Sequence, residues 1–249
     1  MHGRYRALDL TYIRSTSESL PVHTRLLPTP PHAAIAALSL RITEIFHSIQ
    51  GEADAVGWPT VFVRLTGCPL RCTWCDTAYA FHGGRKLSLE QILEDVARYS
   101  TRHVCVTGGE PLAQKNCLLL LERLCAAGFE VSLETSGAID ASKVDPRVRK
   151  VLDLKCPGSA EEARNRYENL AFLTPRDQIK FVIADREDYE WARAQCQMRE
   201  LPTLCAVLFS PVADKLPPSM LAEWLLADRL PVRFQLQLHK VLWGNIAGR

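Results

Sequence analysis

The chain has 249 residues, of which 47% are hydrophobic and 23% charged, enough to bury a full core and to exclude wholesale disorder. Lysine and arginine number 30 against 28 acidic residues, a net charge of +2, so charge gives no basis for direct binding to nucleic acid or to an anionic membrane. No apolar run approaches the roughly 20 residues of a membrane-spanning helix.

Residues 1 to about 39 contain Pro21, Pro28, Pro30 and Pro31, several Ser and Thr, and no period. They read as a poorly ordered extension, set apart from a single domain over 40–249. Their four arginines against Asp9 and Glu18 carry the whole net charge, so the rest is balanced. No charged start runs into a long apolar stretch, which predicts a cytoplasmic protein. Leu40–Phe46 reads as a strand, and so does Val61–Leu65. Ser88 with Gln91 three residues on is a capping box, opening a helix through about Tyr99. His103–Thr107 is a strand ending in Gly108-Gly109. Gln114–Ala127 is a helix stopped by Gly128. Strands are expected at Phe129–Glu134 and Val151–Leu154, then at Gln178–Ala184, after which Asp185 caps a helix to about Arg199. Thr203–Phe209 is read as a strand, Ser219–Asp228 as a helix and Val232–Leu238 as the last strand.

This alternation implies βα units and a parallel sheet. About six units follow residue 60, too few for a full eight-fold barrel, so the expected fold is α/β, an incomplete (open) parallel β/α barrel. Ligands of such folds sit at the C-terminal ends of the strands. The unusual polar residues lie there: Cys68–Cys75, Thr107–Glu110, Glu134–Ser136, Lys155 and Ser210.

Nine cysteines, an odd and scattered number, argue against a disulfide framework. Cys105, Cys117, Cys125, Cys156, Cys196 and Cys205 stand singly in apolar stretches and read as small core residues. Cys68, Cys72 and Cys75 are different, because C-x3-C-x2-C follows directly on a strand. Structural zinc wants four ligands, so a zinc site would have to be completed from elsewhere, by His47 or His82 for example. Three thiolates on an iron–sulfur cubane leave one iron open to chelate a substrate. Plain loop cysteines are the third alternative.

The C-x3-C-x2-C motif at the end of the first barrel strand resembles the radical S-adenosylmethionine (SAM) superfamily, and Gly108-Gly109-Glu110-Pro111 resembles its glycine-rich turn. Three further stretches resemble the 7-carboxy-7-deazaguanine synthase family: Glu44–Glu52, Phe62–Cys68 running into Cys75-Asp76-Thr77, and Gln235–Gly244. The resemblance covers about 40–245. It implies a homodimeric lyase that converts 6-carboxy-5,6,7,8-tetrahydropterin to 7-carboxy-7-deazaguanine with loss of ammonia, in queuosine and deazapurine biosynthesis. It implies a [4Fe-4S] cluster, SAM, Mg2+ and a flavodoxin- or ferredoxin-like one-electron donor.

Carried over residue by residue, the resemblance gives Cys68, Cys72 and Cys75 to the cluster and the Thr77 hydroxyl to Mg2+. Trp74, Cys75, Asp76 and Gly109 would lie along SAM, with Asp153, Leu154 and Lys155 and then Ser210 and Pro211 further round. Ile49, Gln50 and Gly51 would meet the pterin, and Thr107 would touch it. Arg64 would bind the substrate carboxylate, and Gln237, His239 and Lys240 would be its neighbours. Two stretches depart from the family: Ala53 stands where QGEG has glycine, and Asp153-Leu154-Lys155 replaces Ser-Pro-Lys. A glycyl-radical activase sharing the Cys motif, or a non-catalytic iron–sulfur electron carrier, is the rival reading.

Overall fold

The computed structural model describes residues 38–244 and 246–248. The expected N-terminal extension lies outside them, apart from Leu38 and Ser39. Among the described residues nine strands form one sheet in the order β3-β1-β2-β4-β5-β6-β7-β8-β9. These are β1 Ser39–Ile49, β2 Pro59–Leu65, β3 Arg85–Ser88, β4 His103–Gly108, β5 Glu130–Thr135, β6 Arg149–Asp153, β7 Gln178–Ile183, β8 Ala206–Pro211 and β9 Arg233–Phe234. From β2 onward, leaving aside β3, every neighbouring pair is parallel. The hairpin β1–β2 and the pair β1–β3 are antiparallel. The sheet curls without closing, with β3 and β9 as its edges, which is an open β/α barrel.

Six α-helices accompany it among the described residues: α1 Leu89–Ala97, α2 Cys117–Ala126, α3 Arg186–Met198, α4 Leu201–Leu204, α5 Pro218–Asp228 and α6 Leu238–Trp243. Ser88 and Gln91 form the reciprocal capping box of α1. Asp185 accepts from the Asp188 N–H to start α3. Helices back β4, β5, β8 and β9, whereas the β5–β6 connection is irregular and β6–β7 uses only short 3-10 turns. The sheet's central strands are buried on both faces, hence the apolar runs VFV, VCV and VLF. One apolar cluster packs β1, β2, β4 and β5 on α1 and α2; the other packs β6, β7 and β8 on α3 and α5. Each fully buried Leu or Ile in them contributes about 2 kcal/mol.

Several boundaries differ from the sequence reading for physical reasons. Residues 114–116 are not helical: the Gln114 amide accepts from the Arg41 N–H and donates to the Arg41 and Thr66 carbonyls, in place of a strand partner. Thr203 and Leu204 belong to α4 rather than β8, because pairing with β7 begins only at Ala206. The expected strand Val232–Leu238 is a correction. Only Arg233 and Phe234 pair with β8, and from Leu238 the chain is helical. Of the six lone cysteines, five are buried and Cys125 is half-buried.

The gap in the barrel is closed by side chains rather than strands. Gln235 accepts from the Ala53 N–H (2.6 Å) and donates to the Ala53 carbonyl (3.1 Å), as a paired strand would. Arg233 pairs with Asp54 at 2.8 Å, and the Leu238 N–H donates to the Gly51 carbonyl. Ala53 sits at φ +62° in this seam, where the family pattern has glycine. Its left-handed strain, about 1–2 kcal/mol, exceeds the 0.4–1 kcal/mol or so that glycine's freer unfolded chain costs. Ala53→Gly is therefore expected to stabilise the protein by about 1 kcal/mol, a rise of roughly 2–4 °C in thermal unfolding temperature. A fall would show that the Ala53 methyl packs for more than its backbone strain costs.

Candidate active site

One cavity of about 350 Å3 opens at the C-terminal ends of the parallel strands. Every sequence-expected site residue lines it except Gly51, Leu154, Ser210 and Pro211. Those four lie just behind. Leu154 is fully buried in the apolar core, because successive residues of an extended chain point to opposite faces, and its neighbours Asp153 and Lys155 take the cavity side. Ser210 is fully buried and its hydroxyl has no partner among the described residues; Val212 and Ala213, just past Pro211, reach the cavity instead. Gly51 supports the wall: a Cβ there would lie 2.2 Å from His239 Nδ1 and 2.8 Å from its backbone nitrogen.

The cysteine loop leaves β2 and is tied down on both sides. The Glu110 N–H donates to the Gly67 carbonyl (2.8 Å) and the Gly109 N–H to Leu65 (3.1 Å). A Cβ on Gly108 would meet the Leu65 carbonyl oxygen at 2.4 Å, and one on Gly109 the Gly67 oxygen at 2.3 Å, so only glycines permit this approach. Opposite, Thr73 donates its backbone N–H to Ser159 and its hydroxyl to Gly158, and the Arg71 N–H is bound by Glu161. The Cys156–Glu161 stretch that follows the altered Asp-Leu-Lys thus clamps the loop. Asn165 bonds both backbone groups of Lys155 and fixes the end of that strand.

Cys68, Cys72 and Cys75 are free, half-buried and all on this cavity. Burial pushes the Cys72 thiol up to about 11 and also raises Cys68, a cost that a bound cation removes by taking the thiolate. Among the described residues no three His, Cys, Asp or Glu side chains converge on a point for a single ion. His47 is exposed, stacked near Tyr99, and His82 is exposed beside Phe81, so neither completes a zinc set. Three thiols that face one space without meeting fit a cluster larger than one ion.

Around the cysteine loop the cavity is polar on its floor and aromatic on one wall. Phe46 and Phe62 stack with ring centroids 4.9 Å apart. Arg64 donates through Nε to Glu44 (2.7 Å), which also accepts from the Tyr79 hydroxyl (2.8 Å). Arg64 lines the cavity with its guanidinium against the Phe46 and Tyr79 rings. Asp76 accepts from the Thr77 hydroxyl and pairs with Lys240 at 2.7 Å. Burial opposes its ionisation, but the Lys240 ammonium and these hydrogen bonds outweigh that and hold the carboxyl down to about 2.

The sequence reading placed Glu110 and Glu134 at strand ends without giving them a role, and passed over Lys180. Glu110 is fully buried and accepts from the Leu112 and Ser136 N–H groups and the Thr135 and Ser136 hydroxyls. Glu134 accepts from the Gln50 amide (3.2 Å), and burial raises its carboxyl. Lys180 pairs with Glu52 at 2.7 Å across the barrel, and burial of its ammonium is outweighed by the carboxylates around it, which raise it well above its ordinary value. A lysine inside the largely apolar strand QIKFVI was the available signal.

An open parallel barrel with a three-cysteine loop at its mouth defines a radical SAM protein, and the Radical SAM superfamily model matches residues 62–157, from β2 through the loop and glycine turn to Pro157. Relatives narrow it. The 7-carboxy-7-deazaguanine synthase of Koribacter versatilis is 45% identical over 219 residues, covering 82% of this chain and 97% of that protein. That of Chlorobaculum tepidum is 44% identical over 208 residues, covering 82% and 94%. The crystal structure of QueE from Escherichia coli matches with a TM-score of 0.67 at 25% identity, covering 81% of this chain and 95% of that one. The chain belongs to the 7-carboxy-7-deazaguanine synthase family.

Proposed function

We propose that this protein is a radical SAM lyase that converts 6-carboxy-5,6,7,8-tetrahydropterin to 7-carboxy-7-deazaguanine and ammonia, supplying queuosine and deazapurine biosynthesis. The observation that carries the reading is the meeting of three half-buried cysteines with Arg64, Gln50 and Glu134 on one cavity. A [4Fe-4S] cluster and SAM, when bound, supply one-electron cleavage chemistry that starts the rearrangement. The protein's part is to hold, orient and shield.

In this reading Cys68, Cys72 and Cys75 hold the cluster, and Thr107 and Gly109 present backbone to the ligands. Asp153 and Lys155 form an ion pair at 3.0 Å and offer SAM one group of each sign. Thr77 is one oxygen ligand for Mg2+, an ion that keeps waters and takes other oxygens from its substrate. Asp76 accepts the Thr77 proton and so leaves the hydroxyl's lone pairs free for that ion. The stacked Phe46–Phe62 pair suits a flat heterocycle. Gln50 and Glu134 face its hydrogen-bonding edge. Arg64 binds the carboxylate with the fork that Glu44 and Tyr79 orient. Helix α6, which buries none of its own residues, lies over the mouth through Gln237, His239 and Lys240. We place the enzyme in the cytoplasm as a homodimer served by a flavodoxin- or ferredoxin-like donor; among the described residues no helix is long and apolar enough to cross a membrane.

Arg64 gives the direct test of substrate class. Wild-type protein is expected to bind 6-carboxytetrahydropterin about 100-fold more tightly than the analogue lacking the carboxylate, as a charged, desolvated pair supports. Arg64→Met should bind the two within a few-fold of each other. Equal binding of both by the wild type would remove the carboxylated pterin as substrate.

A further inference from the structure

Lys180 stands in mid-strand β7, 6% exposed, with more claims on its ammonium than the site chemistry described above uses. Its Nζ is 2.7 Å from Glu52 Oε2 and 3.6 Å from Asp153 Oδ2. Asp153 Oδ2 is itself shared with Lys155 at 3.0 Å, while Asp153 Oδ1 is buried with no hydrogen-bond partner among the described residues. Glu52 Oε1 accepts from Gln237 Nε2 at 2.9 Å, at the start of α6. Glu52 directly follows Gln50-Gly51 on the turn assigned to the pterin, and Asp153 lies at the end assigned to SAM. One cation therefore bridges the two ends of the cavity across the barrel.

We propose that Lys180 is a positioning residue that couples the two ends, so that the charge state of the SAM end sets how firmly the substrate turn is held. The inference rests on the site assignments of the proposed function. The physical step is competition between two carboxylates for one ammonium in a water-poor space, where such interactions are strong. A donor group of SAM offered to the free Asp153 oxygen weakens the pull of Asp153 on Lys180. Lys180 then belongs more fully to Glu52, and the Gln50–Glu52 turn is fixed in the geometry that receives the second ligand. The reverse also holds, as linkage requires: neutralising Glu52 hands Lys180 to Asp153 and makes that carboxylate a poorer partner for SAM.

The test is a double-mutant cycle read as equilibrium SAM affinity, on cluster-loaded protein without reductant, so that no turnover occurs. Glu52→Gln is expected to weaken SAM binding about tenfold when Lys180 is present. In the Lys180→Met background the same substitution should weaken it less than about twofold. Because Lys180→Met strands a buried carboxylate and can fail to fold, Asp153→Asn provides a second background that keeps the Lys180–Glu52 pair; there too the Glu52 effect should vanish. Equal losses from Glu52→Gln in all backgrounds would overturn the coupling. Pterin binding to the wild type is a separate arm. Coupling without pterin binding would overturn the substrate reading alone, and pterin binding with a flat cycle would overturn the coupling alone.

Discussion

Cys72→Ala protein, reconstituted anaerobically, is expected to retain little of the wild-type iron and sulfide and to lose turnover by roughly a thousandfold or more, since even residues behind a metal ligand cost 10–100-fold. The effect is local. Cys72 is a half-buried residue in a loop outside every strand and helix, and the loop's backbone is held independently by Thr73, Arg71 and the glycine turn. Thermal unfolding of the metal-free variant should therefore stay within about 1 kcal/mol of metal-free wild type. Cys105→Ala is the contrast. That thiol is wholly buried in β4, so iron content should survive while stability falls. Wild-type iron in Cys72→Ala would break the assignment of the three-cysteine loop.

The second large effect is expected at Glu110. Every polar contact of its fully buried carboxylate is a donor: two backbone N–H groups and two hydroxyls, from Leu112, Thr135 and Ser136. Hydrogen bonds to a charged acceptor are worth about 1.5–3 kcal/mol each, and an amide cannot accept at both ends. Glu110→Gln turns one oxygen into an NH2 that faces a donor, which should cost about 3 kcal/mol and lower the unfolding temperature by roughly 6–12 °C. The damage should reach function as well. The Glu110 N–H holds the Gly67 carbonyl one residue before Cys68, so a displaced turn moves both the glycine platform and the first cysteine. SAM affinity should fall together with stability, whereas the milder Thr135→Val, which removes one donor and keeps the charge, should lose less of each. An unfolding temperature unchanged in Glu110→Gln would mean that the carboxylate is not the hub of this turn.

Sequence alone named most of the candidate site's cavity lining because its signals are local. Cysteine spacing, paired glycines and strand ends are all short-range, and an open parallel barrel gathers strand ends onto one face whatever the details between them. Period two also explains the misses. Naming Leu154 together with Asp153 and Lys155 ignored the alternation that sends it into the core. The seam was illegible for a different reason. Gln235 imitates a strand partner for Ala53, and Lys180 meets Glu52 across 128 positions; nothing near either residue announces its partner. The alternating apolar pattern of VRFQLQL reads as a strand, but β8 supplies pairing for only two residues, and the rest turns to close the barrel.

The most direct measurement is anaerobic turnover followed by mass spectrometry, with cluster-loaded protein, SAM, reductant, Mg2+ and 6-carboxytetrahydropterin. The account predicts 7-carboxy-7-deazaguanine with release of ammonia, dependent on SAM and on the pterin carboxylate, and absent with Cys72→Ala. SAM cleavage without that product, from protein with an intact cluster, would contradict it.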